Sequence, residues 1–137
     1  MNQKWMHYIQ KYEGLRLTPY MCATGHLTIG YGHNLERGIS ASVAQALLQE
    51  DVSCAQAEVA RNIPWSKQLD EVRQFVLLDM CFNMGISTLL AFQKFLAALK
   101  KGDYSAAATE MLNSRWAEQV GRRARELAEM MQTGEYL

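Results

Sequence analysis

The sequence predicts an α+β fold that is mainly helical, with a small β-hairpin lobe joined by a long helix to a helical lobe. Two observations support this class. Glycine, proline and β-favouring residues are concentrated between Leu17 and Tyr31, around the turn signal Thr24-Gly25. After Ser40, apolar residues recur at helical spacing almost to the end of the chain. A length of 137 residues is that of a single domain.

The first half of the chain contains three predicted elements. From Asn2 to Tyr12, apolar residues recur at helical spacing and Gly14 offers an end, which predicts a short amphipathic helix. The stretch from Leu17 to Tyr31 predicts a small hairpin or a three-stranded sheet. From Ser40, a suitable N-cap, to Asn62 there is neither glycine nor proline, so we expect one helix of about 33 Å. That length suits a strut between two lobes.

The second half is predicted to be entirely helical. Asp70 to Met84 is apolar on nearly all sides and ends at Gly85, so this helix belongs at the centre of a lobe. Further helices are expected over Phe92–Leu99, Tyr104–Leu112 and Arg122–Met131. No linker interrupts the chain, so any boundary between lobes should fall inside the helix that begins at Ser40.

Composition excludes several classes of function. The 14 basic and 14 acidic side chains balance, so we expect no general binding to polyanions and no nucleic-acid partner. The three cysteines, Cys22, Cys54 and Cys81, lack metal-ligand spacing, which indicates neither a disulfide framework nor a zinc site and fits a reducing cytosol. There is no apolar run of signal-peptide or membrane-spanning length, so we expect no signal peptide and no stable membrane insertion.

The most informative stretch runs from Tyr12 to His33. Glu13 is followed after eight residues by Cys22 and after five more by Thr28, which leads into Ile-Gly-Tyr-Gly-His. With this spacing the chain resembles the phage-type lysozymes, or endolysins. The resemblance continues through three further motifs, Leu69-Asp-Glu-Val-Arg, Met80-Cys-Phe-Asn-Met-Gly and Ser114-Arg-Trp, and so covers nearly the whole chain.

The resemblance implies a lysozyme-like fold and a particular division of the chain. It implies one phage-lysozyme domain over residues 1–137, with a β-containing N-terminal lobe over about residues 13–50. The helical lobe would cover about residues 60–137 together with the N-terminal helix. Peptidoglycan would bind in a cleft between the two lobes, and no cofactor or metal is implied.

Glu13, Cys22 and Thr28 are the expected catalytic residues. Cleavage of a glycosidic bond needs an acid that protonates the leaving oxygen and a second group that steers water or attacks the sugar. Glu13 suits the first role, since the negative end of its helix dipole favours the protonated carboxyl. Cys22 departs from the aspartate that many family members carry, and three roles are open for it: an acceptor that positions water, a thiolate that stabilises positive charge, or a covalent nucleophile. The hydroxyl of Thr28 is suited to hold the attacking water.

The resemblance also assigns substrate and structural positions. The residues that match substrate-binding positions are Gly32, Asn34, Phe82, Asn83 and Arg123. Arg123 matches an arginine that approaches the catalytic glutamate. His33 matches a histidine that pairs with an aspartate on the long helix, so we expect a structural ion pair between His33 and Asp51, with Asp79 as a second possible partner. Trp116 is expected to pack in the core, as are five methionines, Met80, Met84, Met111, Met130 and Met131.

These assignments predict an endolysin, a muramidase that hydrolyses the β-1,4 bond between N-acetylmuramic acid and N-acetylglucosamine during host-cell lysis. The resemblance implies a monomer that stays in the host cytoplasm until a holin releases it to the cell wall. Two alternatives follow from the missing second carboxylate. One is a peptidoglycan-binding protein with weak or no activity. The other is a lytic transglycosylase, which needs only one acid/base carboxyl group and forms an anhydro product.

Overall fold

A computed structural model describes the whole chain from Met1 to Leu137, which folds into two compact units. The first unit is Met1–Ala46 and the second is Leu47–Leu137. The division falls inside one long helix. The N-terminal helix lies in the first unit, so its expected grouping with the helical lobe stays a prediction. None of the helices has the length and hydrophobicity needed to span a bilayer.

The first unit opens with helix α1, Gln3–Glu13, close to its predicted bounds. Asn2 caps its N-terminus, because its Oδ1 accepts hydrogen bonds from the backbone N–H groups of Lys4 and Trp5 at 3.0 and 3.3 Å. Gly14 ends the helix with a φ of 71°. The helix therefore delivers Glu13 at its C-terminus, as the sequence predicted.

Three short antiparallel strands follow, in the order β1-β2-β3: β1 Arg16–Met21, β2 Leu27–Gly30 and β3 His33–Asn34. Thr28 in β2 is opposite Tyr20 in β1 and Asn34 in β3, so the middle strand carries Thr28 to the centre of the sheet. Thr28 is also the one buried residue of this unit. The three-stranded alternative is thus the correct one.

The long helix α2 spans Ala41–Asn62 and contributes residues to both units. Ser40 caps its N-terminus, as predicted, by accepting a hydrogen bond on Oγ from the backbone N–H of Val43 at 3.2 Å. Its buried residues, Ala55 and Val59, both lie in the second half of the helix. Burial of α2 therefore begins within the second unit.

The second unit continues with six helices: α3 Glu71–Met84, α4 Ile86–Ala91, α5 Gln93–Lys101, α6 Tyr104–Leu112, α7 Arg115–Val120 and α8 Arg122–Thr133. Helix α3 is the centre of the core, as its apolar pattern predicted, with Val76, Leu77 and Met80 fully buried. Trp116 is also buried, at 5% exposure. Periodicity did not reveal α4 and α7, because six residues are too few to establish a helical repeat.

Candidate active site

The first unit has a concavity of about 440 Å³ beside its sheet. Its lining residues come from α1, the strands, the β1–β2 and β2–β3 turns and the segment after β3: Glu13, Tyr20, Cys22, Thr24, His26, Thr28, Gly32, His33, Asn34 and Arg37. The three residues expected to be catalytic therefore line one concavity. So do two of the five expected substrate-binding residues, Gly32 and Asn34.

Glu13 and Gly32 approach each other so closely that any side chain at position 32 would displace the Glu13 carboxyl. A Cβ atom built on Gly32 would lie 2.6 Å from Glu13 Oε2 and 2.9 Å from its Cδ. Gly32 also has a φ of 76°, in the left-handed region where side chains are disfavoured. The resemblance marked Gly32 as a substrate contact. The structure adds that it makes room for the carboxyl of Glu13.

Cys22 follows β1 in the β1–β2 turn, where it is partly exposed. Its Sγ lies 3.2 Å from Thr24 Oγ1 and accepts a hydrogen bond from the backbone N–H of His26 at 3.4 Å. Hydrogen bonds to the sulfur, that of the Thr24 hydroxyl foremost, lower the pKa of the Cys22 thiol from 9.0 to about 6. These contacts therefore favour the thiolate of Cys22 near neutral pH.

Thr28 is 3% exposed, and its hydroxyl has a defined orientation. Thr28 Oγ1 donates its proton to the backbone oxygen of His26 at 2.7 Å. Since a hydroxyl has one proton and two lone pairs, the oxygen can face the concavity only as an acceptor. This is the arrangement that a water molecule needs if it is to donate a proton to Thr28.

Comparison with known proteins identifies the family of the chain. The profile of the family described as phage lysozyme matches residues 10–131. An endolysin of Acyrthosiphon pisum secondary endosymbiont phage 1 is 35% identical over 127 residues, covering 90% of this chain and 85% of the relative.

The chain belongs to the phage lysozyme family. Two relatives from Dictyostelium discoideum, probable T4-type lysozymes 1 and 2, are 28% and 26% identical over 152 residues, and each alignment covers 89% of both chains. This phage lysozyme is accordingly a lysozyme-type cell-wall hydrolase whose substrate is peptidoglycan. The predicted family, fold class and general activity are confirmed.

Asn34 and His33, which the resemblance assigned to substrate binding and to a structural pair, both make hydrogen bonds to the backbone near the sheet. Asn34 Oδ1 accepts a hydrogen bond from the backbone N–H of Glu36 at 2.9 Å and so caps a 3-10 turn, which leaves its amide N–H groups for a ligand. His33 Nε2 donates to the backbone oxygen of Gly38 at 2.9 Å. The pairing of His33 with Asp51 joins residues of different units and stays a prediction.

Arg123, in the second unit, has a partner that the sequence did not predict. Its Nε and Nη2 donate to the two carboxylate oxygens of Asp79 at 2.9 and 2.8 Å. This bidentate pair raises the pKa of the Arg123 guanidinium further. Asp79 is also the second possible partner of His33; that pairing joins residues of different units and stays a prediction. Contact of Arg123 with Glu13 or substrate stays a prediction.

Phe82 and Asn83, near the end of α3, are exposed in the second unit. Asn83 Oδ1 accepts a hydrogen bond from Trp116 Nε1 at 2.8 Å, which fixes the orientation of the amide and leaves its N–H groups free. Phe82 has 40% of its surface exposed, so its ring is accessible to a ligand. Substrate binding by Phe82 and Asn83 stays a prediction.

Sequence reasoning missed four residues that line the concavity: Tyr20, Thr24, His26 and Arg37. Thr24 had a recognisable signal, since it is a hydroxyl residue two positions after a reactive cysteine in a predicted turn. His26 Nδ1 lies 3.0 Å from Glu36 Oε2, a contact across ten positions of sequence that has no sequence signature. Tyr20 and Arg37 likewise reach the concavity only through the folded sheet.

Proposed function

We propose that this phage lysozyme is an endolysin, a muramidase that hydrolyses the β-1,4 bond between N-acetylmuramic acid and N-acetylglucosamine to lyse the host cell. The observation that carries the proposal is the shared concavity of Glu13, Cys22 and Thr28. These residues contribute a carboxyl group, a thiolate and an acceptor oxygen. The relatives described as an endolysin and as T4-type lysozymes support the same activity.

Glu13 and Thr28 each have one role in the proposed reaction, and Cys22 has alternative roles. Glu13 protonates the glycosidic oxygen as the bond to the leaving sugar breaks. Thr28 Oγ1 accepts a hydrogen bond from the attacking water, because its own proton is committed to a backbone oxygen. The thiolate of Cys22 takes the one proton that this water loses as its oxygen bonds to the sugar carbon, or stabilises positive charge on the sugar ring. Attack by the sulfur itself would instead give a covalent intermediate and retention of configuration.

The remaining assignments follow the family resemblance. We propose that Gly32 and Asn34 contact the sugar chain from the first unit, and that Phe82, Asn83 and Arg123 do so from the second. His33 and Asp51 form the proposed structural pair. The protein acts as a monomer and reaches the wall from the host cytoplasm when a holin opens the membrane.

Clearing of outer-membrane-permeabilised bacteria, followed by mass analysis of the released muropeptides, tests this proposal. We expect the wild type to clear the suspension and to release products with added water. Glu13→Gln should lower the rate by about 10²–10⁴-fold, the usual contribution of a general acid. Cys22→Asp should retain most of the activity because it keeps an anion at this position, whereas Cys22→Ala should lose it.

Three outcomes would contradict the proposal. Muropeptides with anhydro-muramic ends would identify a lytic transglycosylase. A wild type that sediments with purified peptidoglycan but releases no product would identify a binding protein. Full activity of Cys22→Ala would exclude a chemical role for the thiolate and leave Glu13 and Thr28 as the reactive pair.

A further inference from the structure

Thr24 lies in the β1–β2 turn, two residues after Cys22, and also lines the concavity. Its Oγ1 is 3.2 Å from Cys22 Sγ. We propose that Thr24 is a positioning residue, whose hydroxyl donates a hydrogen bond to Cys22 Sγ and thereby holds it as a thiolate at the concavity. The catalytic consequence of this inference rests on the proposed function, but the ionisation of Cys22 does not.

The direction of these hydrogen bonds follows from their partners. The backbone N–H of His26 can only donate, so Cys22 Sγ is already an acceptor on that side. The Thr24 hydroxyl rotates freely about its C–O bond and can direct its proton at the same sulfur. Hydrogen bonds to an ionised acceptor are stronger than those to a neutral one, so both donors favour the thiolate over the thiol.

Thr24 is the principal side-chain donor to the sulfur. Thr28 also lowers the pKa of Cys22, but it contributes least, since its single hydroxyl proton goes to the backbone oxygen of His26. The titratable side chains that share the lining are of both signs, and none of these side chains makes a hydrogen bond to the sulfur: Glu13, Tyr20, His26, His33 and Arg37. The positive charge of a protonated His26 would be offset by Glu36, 3.0 Å away. Thr24 is therefore the side-chain donor that acts on the sulfur directly.

The turn holds Thr24 in place through its backbone. Cys22 donates its N–H to the oxygen of His26, and its oxygen accepts the N–H of Gly25, both at 2.9 Å. Thr24 lies inside the loops that these two hydrogen bonds close, so its side chain is held close to the sulfur. A substitution that removes only the hydroxyl should leave these backbone hydrogen bonds intact.

The test is the pH dependence of alkylation by iodoacetamide, read for each cysteine by peptide mass spectrometry, because only the thiolate reacts. Cys54, which is exposed in α2, supplies a reference curve within the same chain. Cys81 is buried and should react slowly, since burial first and the carboxylate of Glu58 second raise its pKa. In the wild type, Cys22 should react with a midpoint near pH 6.

Thr24→Val should shift this midpoint upward by about one to two pH units, because it removes one hydrogen bond to a charged group. Thr24→Ser should restore most of the shift, and the Cys54 curve should not move in either variant. Clearing of bacteria at pH 7 should fall several-fold in Thr24→Val, through the rate at saturating substrate, and recover in Thr24→Ser.

The inference is overturned by an unchanged Cys22 midpoint in Thr24→Val, or by an equal shift in Thr24→Ser. A wild-type midpoint equal to that of Cys22 in urea-denatured protein would also overturn it, even if the valine variant failed to fold. Failure of the proposed function is a separate result. In that case the alkylation midpoints would shift as expected while the wild type released no muropeptides.

Discussion

The close approach of Gly32 to Glu13 provides a sharp test of the proposed acid. In Gly32→Ala, the added Cβ would meet Glu13 Oε2 at 2.6 Å, whereas an ordinary contact begins at 3.4 Å. The carboxyl group must therefore retreat by about 0.8 Å, the difference between these two distances. Misplacement of a catalytic group by about 1 Å costs on the order of 10²-fold in rate, so we expect a 10- to 100-fold loss of activity.

Gly30→Ala is a matched control for this substitution. Gly30 has a φ of 70° and Gly32 a φ of 76°, so alanine is strained at either position by about 1–2 kcal/mol. A Cβ on Gly30, however, meets no atom within 4 Å. Both variants should lose similar stability, but only Gly32→Ala should lose activity beyond its loss of folded protein.

The assay is the initial rate of clearing per folded molecule, with the folded fraction taken from urea unfolding followed by circular dichroism. A Gly32→Ala protein that is folded and as active as the wild type would refute the placement of Glu13 as the acid. Equal rate losses in Gly30→Ala and Gly32→Ala would refute the steric argument, since backbone strain would then explain both results.

Two further predictions concern one residue in each unit. Arg123→Ala should lower the free energy of unfolding by about 1–3 kcal/mol in urea denaturation, because it leaves the Asp79 carboxylate, 17% exposed, without its partner. Thr28→Val should lower the clearing rate by about tenfold or more through loss of the water acceptor. Thr28→Val should cost no more than about 1 kcal/mol of stability, because the backbone oxygen of His26, which the Thr28 hydroxyl contacts, still accepts a hydrogen bond from the backbone N–H of Cys22.

Neighbouring residues supply the controls for these two predictions. Arg122 also forms an ion pair, with Glu126, but its side chain is 84% exposed, so Arg122→Ala should change stability by less than about 0.5 kcal/mol. Equal effects of Arg122→Ala and Arg123→Ala would contradict the importance of the bidentate pair. Thr18, an exposed threonine on β1, is the control for Thr28. Thr28→Val activity equal to that of Thr18→Val would exclude the water-holding role.

Much of the fold could be predicted because its signals are local. The first helix with its end at Gly14, the uninterrupted helix after Ser40 and the apolar α3 are properties of short segments, and the structure confirms each of them. Helices α4 and α7 escaped prediction because each has only six residues. Their formation depends on packing in the second unit, which a single segment does not encode.

The candidate site could be predicted only in part. Spacing along the chain indicated Glu13, Cys22 and Thr28, since their family pattern is a sequence property. It did not indicate the room that Gly32 makes for Glu13, or the partnership of Asp79 with Arg123 across 44 positions of sequence. Such contacts arise only when separate elements pack together.

The sequence by itself determined the family, the helices and the residue types available for chemistry, because these depend on the order and spacing of side chains. Tertiary structure alone decided how those side chains function. It turns the proton of Thr28 toward a backbone oxygen, and it brings the hydroxyl of Thr24 and a backbone N–H to the sulfur of Cys22. The ionisation of Cys22 is a consequence of these contacts, because a pKa depends on the groups that surround the thiol in space.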